Sequence, residues 1–113
     1  MNIEIIGATV ESVSNANEIN ACKKFRPTKS QVIRFFNKAY PVEAAIRNDR
    51  YTTCYAEGSL TFSDNYSGRW ILFSSGVARF TFLGEDVVYL FYKNNGWHDP
   101  FACTYGYSSE GEC

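Results

Sequence analysis

Several features that commonly identify a protein's class are missing from this chain. No apolar run approaches the roughly 18 residues that a membrane-spanning helix needs, and the N-terminus has no basic segment followed by a long apolar stretch, as a secretory signal would have. Phosphate-binding loops of the G-x-x-x-x-G-K-S/T and G-x-G-x-x-G types are also absent. We therefore expect a cytoplasmic protein without a nucleotide-phosphate site.

Histidine is nearly absent, which leaves little for acid-base or nucleophilic catalysis. His98 is the one histidine, and a dyad or triad with Asp99 and Cys103 would need residues of a single loop to point at one another. A zinc site made by His98, Cys103, Cys113 and Cys54 would need four converging ligands, but the chain has no C-x-x-C or H-x-x-x-H pair. We expect no enzyme activity, no metal site and no cofactor.

Cysteine is sparse, and Cys22, Cys54, Cys103 and Cys113 are widely and irregularly spaced. In a chain without an export signal we expect all four to be reduced, because cytosolic thiols are kept so. Export would make two disulfides plausible, and the spacing cannot choose among the possible pairings.

The residues that are present suffice for one folded domain. The chain has 113 residues, of which 45% are hydrophobic, and its aromatic residues include nine Phe, eight Tyr and two Trp. A chain of this length buries roughly two thirds of its unfolded surface in one core. We expect a single domain over residues 1–113, with residues 108–113 as a frayed tail.

Charge is distributed unevenly, although the net charge is only −1. Residues 22–50 carry eight bases against two acids, a balance of +6, whereas residues 85–113 carry five acids against Lys93, a balance of −4. Segments of opposite charge on a small domain provide two candidate binding faces or one internal electrostatic match.

The clearest local signal is the start of a helix at Lys29. Thr28 can cap this helix while Gln31, three residues later, reaches back, which is the capping-box arrangement. The apolar residues that follow form one stripe at helical spacing, and Tyr40-Pro41 ends the helix. The stripe consists of Val32, Ile33, Phe35, Phe36, Ala39 and Tyr40.

Alternating apolar and polar residues predict strands on both sides of this helix. Before it we expect a strand over Asn2–Val13, broken by a bulge at Ile5-Ile6-Gly7, and a short returning strand over Ile19–Phe25. After it, short turns separate strands that must be antiparallel, since a parallel crossover needs a dozen residues or more. The predicted fold class is α+β, with one amphipathic helix packed on an antiparallel β-meander. The meander strands are 55–63, 69–74, 77–83 and 87–92.

Two binding functions remain after catalysis is set aside. A nucleic-acid interface could use the basic residues of segment 23–38, with sheet tyrosines stacking on bases, but the acidic isoelectric point near 5.8 and the lack of an RNP-type sequence weigh against it. A protein-recognition module fits a stiff sheet rich in tyrosine, because Tyr and Trp supply large contact areas at low entropy cost.

A family resemblance supports the second of these functions. It lies in the helix over residues 29–40, in the G-x-L-x-F strand that contains Gly58, Leu60 and Phe62, and in the Ser67-Gly68-Arg69-Trp70 strand entry. Over residues 25–106 the chain resembles the small cytoplasmic immunity proteins of bacterial contact-dependent growth inhibition and other polymorphic toxin systems.

The resemblance implies a stoichiometric inhibitor that binds a cognate toxin domain and covers its active site or substrate-access surface. Many such toxins are nucleases with basic clefts, which acidic side chains can fill. We hypothesise a toxin-binding surface of acidic residues and aromatic anchors near the C-terminus. It comprises Glu85, Asp86, Trp97, Asp99, Tyr105, Tyr107 and Glu110. A small nucleic-acid-binding domain that uses the basic helix face, residues 23–38, is the alternative.

Overall fold

The computed structural model describes residues 1–10, 14–46, 50–61, 67–82, 86–93 and 95–101. Within these ranges the chain forms an antiparallel sheet of six strands and two helices, which confirms the α+β class predicted from the sequence. In chain order the elements are β1 (Asn2–Thr9), α1 (Ala16–Cys22), α2 (Lys29–Lys38), β2 (Tyr40–Val42), β3 (Cys54–Thr61), β4 (Ser67–Phe73), β5 (Val77–Phe82) and β6 (Val87–Phe91).

The sheet is larger than the predicted meander. Its strand order is β1-β3-β4-β5-β6-β2, so β3 to β6 form the expected run of neighbours, while β1 and β2 add a strand at each edge. All five pairs are antiparallel. Strands β2 and β3 are consecutive in the chain, but β4, β5 and β6 lie between them in the sheet.

Helix α2 follows the sequence prediction closely. The Thr28 hydroxyl accepts a hydrogen bond from the Gln31 amide at 3.1 Å, and the Gln31 side chain accepts one from the Thr28 amide at 2.8 Å. This capping box satisfies two amides that a helix start otherwise leaves unpaired. Val32 and Phe35 are buried, but Ile33, which belonged to the predicted stripe, is 43% exposed.

Helix α1 replaces a predicted strand. Residues 19–25 were expected to form a short strand, but Ala16–Cys22 is helical. The Asn15 side chain accepts hydrogen bonds from the Asn17 and Glu18 amides at 2.8 and 3.2 Å, so it acts as the N-cap. The cap favours a helix over the extended conformation expected for residues 19–25. Neither described helix is long and apolar enough to cross a membrane.

Both edge strands carry features that limit pairing with other chains. The predicted irregularity of β1 is confirmed, since its register with β3 shifts between Ile3 and Ile5 and again between Ile5 and Ala8. At the other edge, β2 was not predicted as a strand, and it contains Pro41, which has no amide hydrogen to donate. Bulges and proline are common means of protecting sheet edges.

The core lies between the helices and one face of the sheet, called here the inner face. Phe36 of α2 packs against Trp70 and Phe80 with ring centroids 5.8 and 6.2 Å apart. Trp70 is fully buried, and its indole nitrogen donates to the Ser59 carbonyl at 3.2 Å. A Cβ on Gly58, which faces Trp70 across the strands, would lie 2.6 Å from the Trp70 ring. Glycine is therefore needed where the tryptophan crosses β3.

A disulfide joins the end of α1 to the start of β3. Cys22 and Cys54 are bonded, both are fully buried, and their Cα atoms are 4.9 Å apart. The expectation of reduced cysteines is therefore wrong for this pair. The fold brings the two residues within disulfide range although 32 positions separate them in the sequence. Cys103 and Cys113 lie outside the described residues.

Candidate functional site

The surface predicted near the C-terminus is described only in part. Asp86, Trp97 and Asp99 belong to the described residues, and they do not form a common surface. Asp86 is exposed beside β6, and its carbonyl accepts a hydrogen bond from the Phe82 amide at 2.8 Å. The other predicted positions lie outside the described residues: Glu85, Tyr105, Tyr107 and Glu110.

Trp97 belongs to the core and not to an exposed surface. It is 9% exposed, and its ring packs against Phe25 and Phe35 with centroids 5.7 and 5.8 Å away. The indole nitrogen donates to the Ser74 carbonyl at 3.0 Å. A buried tryptophan with its polar atom satisfied stabilises the fold, and its role as a contact anchor stays a prediction.

Asp99 also serves the fold. Its carboxylate accepts hydrogen bonds from the Ser74 hydroxyl at 2.7 Å and from the Phe101 amide at 3.0 Å. The Ser74 hydroxyl lies 2.8 Å from that of Thr52, whose oxygen accepts from the Cys54 amide at 3.2 Å. A continuous hydrogen-bond chain thus ties the segment after β6 to the start of β3.

Asp86 and Asp99 lie toward opposite ends of the sheet. Asp99 contacts Ser74 at the turn between β4 and β5, whereas Asp86 pairs with Phe82 at the far end of β5. A strand of six residues spans about 20 Å. The two acids therefore do not combine into one acidic patch.

The face of the sheet opposite the core, called here the outer face, carries a groove and is not covered by either described helix. One row of side chains crosses it, because Glu57 pairs with Ile71, Ile71 with Arg79, and Arg79 with Tyr89. Each of these four is partly exposed, and neither described helix covers them. Val87, which pairs with Thr81 on the same face, is 42% exposed.

One end of the outer face is covered by the segment that leads into β3. The Arg50 guanidinium lies 4.8 Å from the centre of the Phe91 ring and donates to the Ser75 carbonyl at 2.9 and 3.2 Å. Phe73 and Val77 are buried beneath this segment at 5% and 1% exposure. Among the described residues, the middle of the outer face is open beyond this segment.

A shallow groove of roughly 370 Å³ lies in the open part of the outer face. Its floor and walls include aliphatic, aromatic, hydroxyl and charged groups. The lining residues that matter below are Glu57, Arg69, Ile71, Arg79 and Thr81.

Three arginines of the outer face differ in how their guanidinium groups are satisfied. Arg50 donates to the Ser75 carbonyl, and Arg69 forms a salt bridge with Glu4 of β1. The hydrogen bond and charge of Glu4 raise the pKa of Arg69 above its usual value. The Nε atom of Arg79 is buried from solvent and has no hydrogen-bond partner among the described residues.

The basic surface predicted from segment 23–38 is exposed. All six of its bases are exposed, and none forms an ion pair within the described ranges. They surround the connection between the helices and continue along α2. These residues are Lys23, Lys24, Arg26, Lys29, Arg34 and Lys38.

The described residues contain no group of three or more His, Cys, Asp or Glu side chains that could hold a metal ion. His98 is exposed, and Cys103, its suggested partner, lies outside the described residues. Among the described residues, the outer face offers an extended contact surface on which the Arg79 Nε atom has no acceptor. Strand alternation over residues 77–83 indicates that Arg79 faces away from the core, but no sequence pattern singles it out.

Searches against family models, curated proteins and solved structures found no match to this chain.

Proposed function

We propose that this protein is a recognition module that neutralises a cognate toxin by binding it stoichiometrically, in the manner of the immunity proteins that its sequence resembles. The observation that carries the proposal is the open outer face of the sheet. The side chains there are held on paired strands, so their positions are set before a partner binds. Preorganised surfaces lose less conformational entropy on binding than mobile ones do.

The composition of the outer face suits protein recognition. Ile71, Val87 and Tyr89 supply apolar and aromatic area, while Glu57 and Arg79 supply charge within the same rows. Interfaces commonly combine an apolar centre with polar groups that fix the register of the partner. The acidic surface expected from the sequence stays a separate prediction, and two of its described members, Trp97 and Asp99, also make contacts within the fold.

The experiment first identifies the gene immediately upstream of this one, which the proposal expects to encode a large secreted protein with a variable C-terminal toxin domain, and uses that domain as the binding partner. We expect a one-to-one complex by light scattering and calorimetry, and protection of cells that express the toxin domain. Ile71→Asp should weaken the complex strongly, because it places a charge in the centre of the contact. Ile33→Asp is the matched control, since Ile33 is an exposed isoleucine on α2.

Two results would contradict the proposal. The first is the absence of both a complex and protection with that domain. The second is an equal loss of binding in the Ile71 and Ile33 variants, which would move the contact away from the outer face. A loss confined to Ile33→Asp would direct attention to the helix side.

A nucleic-acid-binding function is the second candidate, and the exposed bases of segment 23–38 favour it. Binding through these side chains would weaken steeply with salt, because each phosphate contact releases counterions. Replacing Lys24 and Lys29 by Glu should then abolish binding to a random RNA or DNA oligonucleotide. Binding that is undetectable at low salt would exclude this candidate.

The disulfide bears on where the protein works. An immunity protein of the cytoplasm would carry Cys22 and Cys54 as thiols, whereas the bond between them is typical of oxidising compartments. Alkylation of cells before lysis, followed by mass spectrometry, measures this directly. Unmodified Cys22 and Cys54 would indicate an oxidising compartment, and two alkylated residues would support the cytoplasmic location expected from the sequence.

A further inference from the structure

We propose that Arg79 binds a carboxylate of the protein partner, an aspartate or glutamate side chain that enters the outer-face groove. The inference rests on the proposed recognition function and names the chemistry by which the outer face selects its partner. Its starting point is the Arg79 side chain, which lines the outer-face groove and forms no ion pair among the described residues; its inner Nε atom also has no hydrogen-bond acceptor there.

A buried donor without a partner is energetically unfavourable, and more so when it belongs to a charged group. Arg79 is partly exposed, lines the groove and forms no ion pair among the described residues, so an anionic group of a partner would complement its charge. Arginine presents its donors as a planar fork that matches the two oxygens of a carboxylate. A carboxylate is therefore the group that would satisfy both the charge and the geometry of Arg79.

The guanidinium groups of the two neighbouring arginines both have partners within the chain. The Arg50 Nε donates to the Ser75 carbonyl at 3.2 Å, and the Arg69 guanidinium is held by Glu4. Both partners come from parts of the chain distant in sequence, so each pairing is created by the fold. Arg79 lies between these two arginines on the same face, but no described residue accepts a hydrogen bond from its Nε atom.

Glu57 is the acid of the outer face that could compete with a partner. It faces Ile71, and Ile71 in turn faces Arg79, so Glu57 and Arg79 lie two strands apart. Two strand spacings amount to about 9–10 Å between backbones. Glu57 also lies close enough to Arg69 to raise the pKa of that residue, which places its charge toward the other side of the groove.

The groove has room for the proposed group. Its volume of roughly 370 Å³ exceeds what one acidic side chain fills, and Thr81 lines it together with Arg79 and Ile71. The Thr81 hydroxyl can donate a second hydrogen bond to a bound carboxylate, while Ile71 packs against the methylene groups. A glutamate at the tip of a partner loop matches this combination.

The test uses nitrogen-15 labelled protein and two short probes. One is the tripeptide N-acetyl-Gly-Glu-Gly-amide, and the other is its glutamine analogue, which has the same shape without the charge. We expect the glutamate peptide to shift the Arg79 Nε–H signal and the Ile71 and Thr81 amides. The Arg50 Nε–H signal serves as an internal control, because its donor is already bonded.

Variants separate the arginine from its surroundings. Arg79→Gln should weaken binding of the glutamate peptide by about tenfold or more, as expected for loss of a charge-assisted hydrogen bond. Glu57→Gln should bind the peptide at least as well as the unmodified protein does. If Arg79→Gln fails to fold, Arg79→Lys keeps the charge without the fork, and it should show intermediate affinity.

The proposal is overturned if the two peptides give equal shifts, if neither gives a shift, or if the glutamate peptide binds Arg79→Gln, or Arg79→Lys in its place, as tightly as it binds the unmodified protein. These outcomes are distinct from failure of the proposed function. A toxin complex that is sensitive to Ile71→Asp but not to Arg79→Gln would keep the function and remove the carboxylate site. Peptide binding without a toxin complex would do the reverse.

Discussion

The Cys22–Cys54 disulfide should supply a large part of the stability of this fold. It closes a loop between residues 32 positions apart, and the chain-entropy relation gives about 3.7 kcal/mol at 25 °C for a loop of this length. Domains of ordinary size are stable by about 5–15 kcal/mol. Reduction should therefore remove a quarter or more of the total and shift the urea midpoint clearly.

The measurement needs a background in which no other thiol can react. We would replace Cys103 and Cys113 by serine, so that Cys22 and Cys54 are the remaining cysteines. Urea unfolding of this protein is then followed by tryptophan fluorescence with and without reductant. Trp70 and Trp97 are both buried, so their emission reports on loss of the core.

Comparing oxidised and reduced forms of one sequence isolates the bond from changes in side-chain packing. A double variant, Cys22→Ala with Cys54→Ala, should unfold at a urea concentration close to that of the reduced protein. The reasoning is refuted if reduction lowers the free energy of unfolding by less than about 1 kcal/mol, far below the loop-entropy value. It is also refuted if protein refolded under oxidising conditions retains two free thiols by mass.

Three further predictions concern the free energy of unfolding in urea. Asp99→Ala should lower the free energy of unfolding by about 1–3 kcal/mol, because it leaves a buried hydroxyl and an amide without their acceptor. Asp86→Ala is the control: it changes an exposed side chain and should alter the free energy of unfolding by no more than about 0.5 kcal/mol. Equal effects would contradict the structural role of the first carboxylate. Gly58→Ala should cost about 1–3 kcal/mol or more, since its methyl group would overlap the facing tryptophan ring and the backbone of β1; an unchanged midpoint would contradict this packing. Thr28→Ala should cost about 1 kcal/mol through loss of the helix cap, with Ser30→Ala on the exposed side of α2 as control, and identical values for the two would argue against the cap.

The parts of the fold that the sequence predicted depend on neighbouring residues. Helix α2 starts at Lys29 because Thr28 and Gln31 cap it, and these residues are only three positions apart. The meander follows from strict alternation within each strand and from turns too short for a crossover. Helix α1 was missed because its signal, the cap at Asn15, is short and residues 19–25 were expected to form a strand.

The candidate site was predicted less well, because it depends on contacts between distant segments. Trp97 and Asp99 looked like exposed contact residues, but the fold places the tryptophan against Phe25 and Phe35 and the carboxylate against Ser74. The sequence shows that a side chain is aromatic or acidic. It does not show which groups lie next to that side chain in the folded protein.

The sequence by itself determined the α+β fold class, the start of helix α2, the strand alternation and the side of the sheet on which Arg79 lies. Tertiary structure decided which two cysteines form a disulfide and which arginines form hydrogen bonds or ion pairs. Glu4 reaches Arg69 across 65 positions of sequence, and Arg50 reaches Ser75 across 25. Pairings of this range depend on the three-dimensional path of the whole chain, so no local pattern in the sequence could indicate that the Arg79 Nε atom would be left without one.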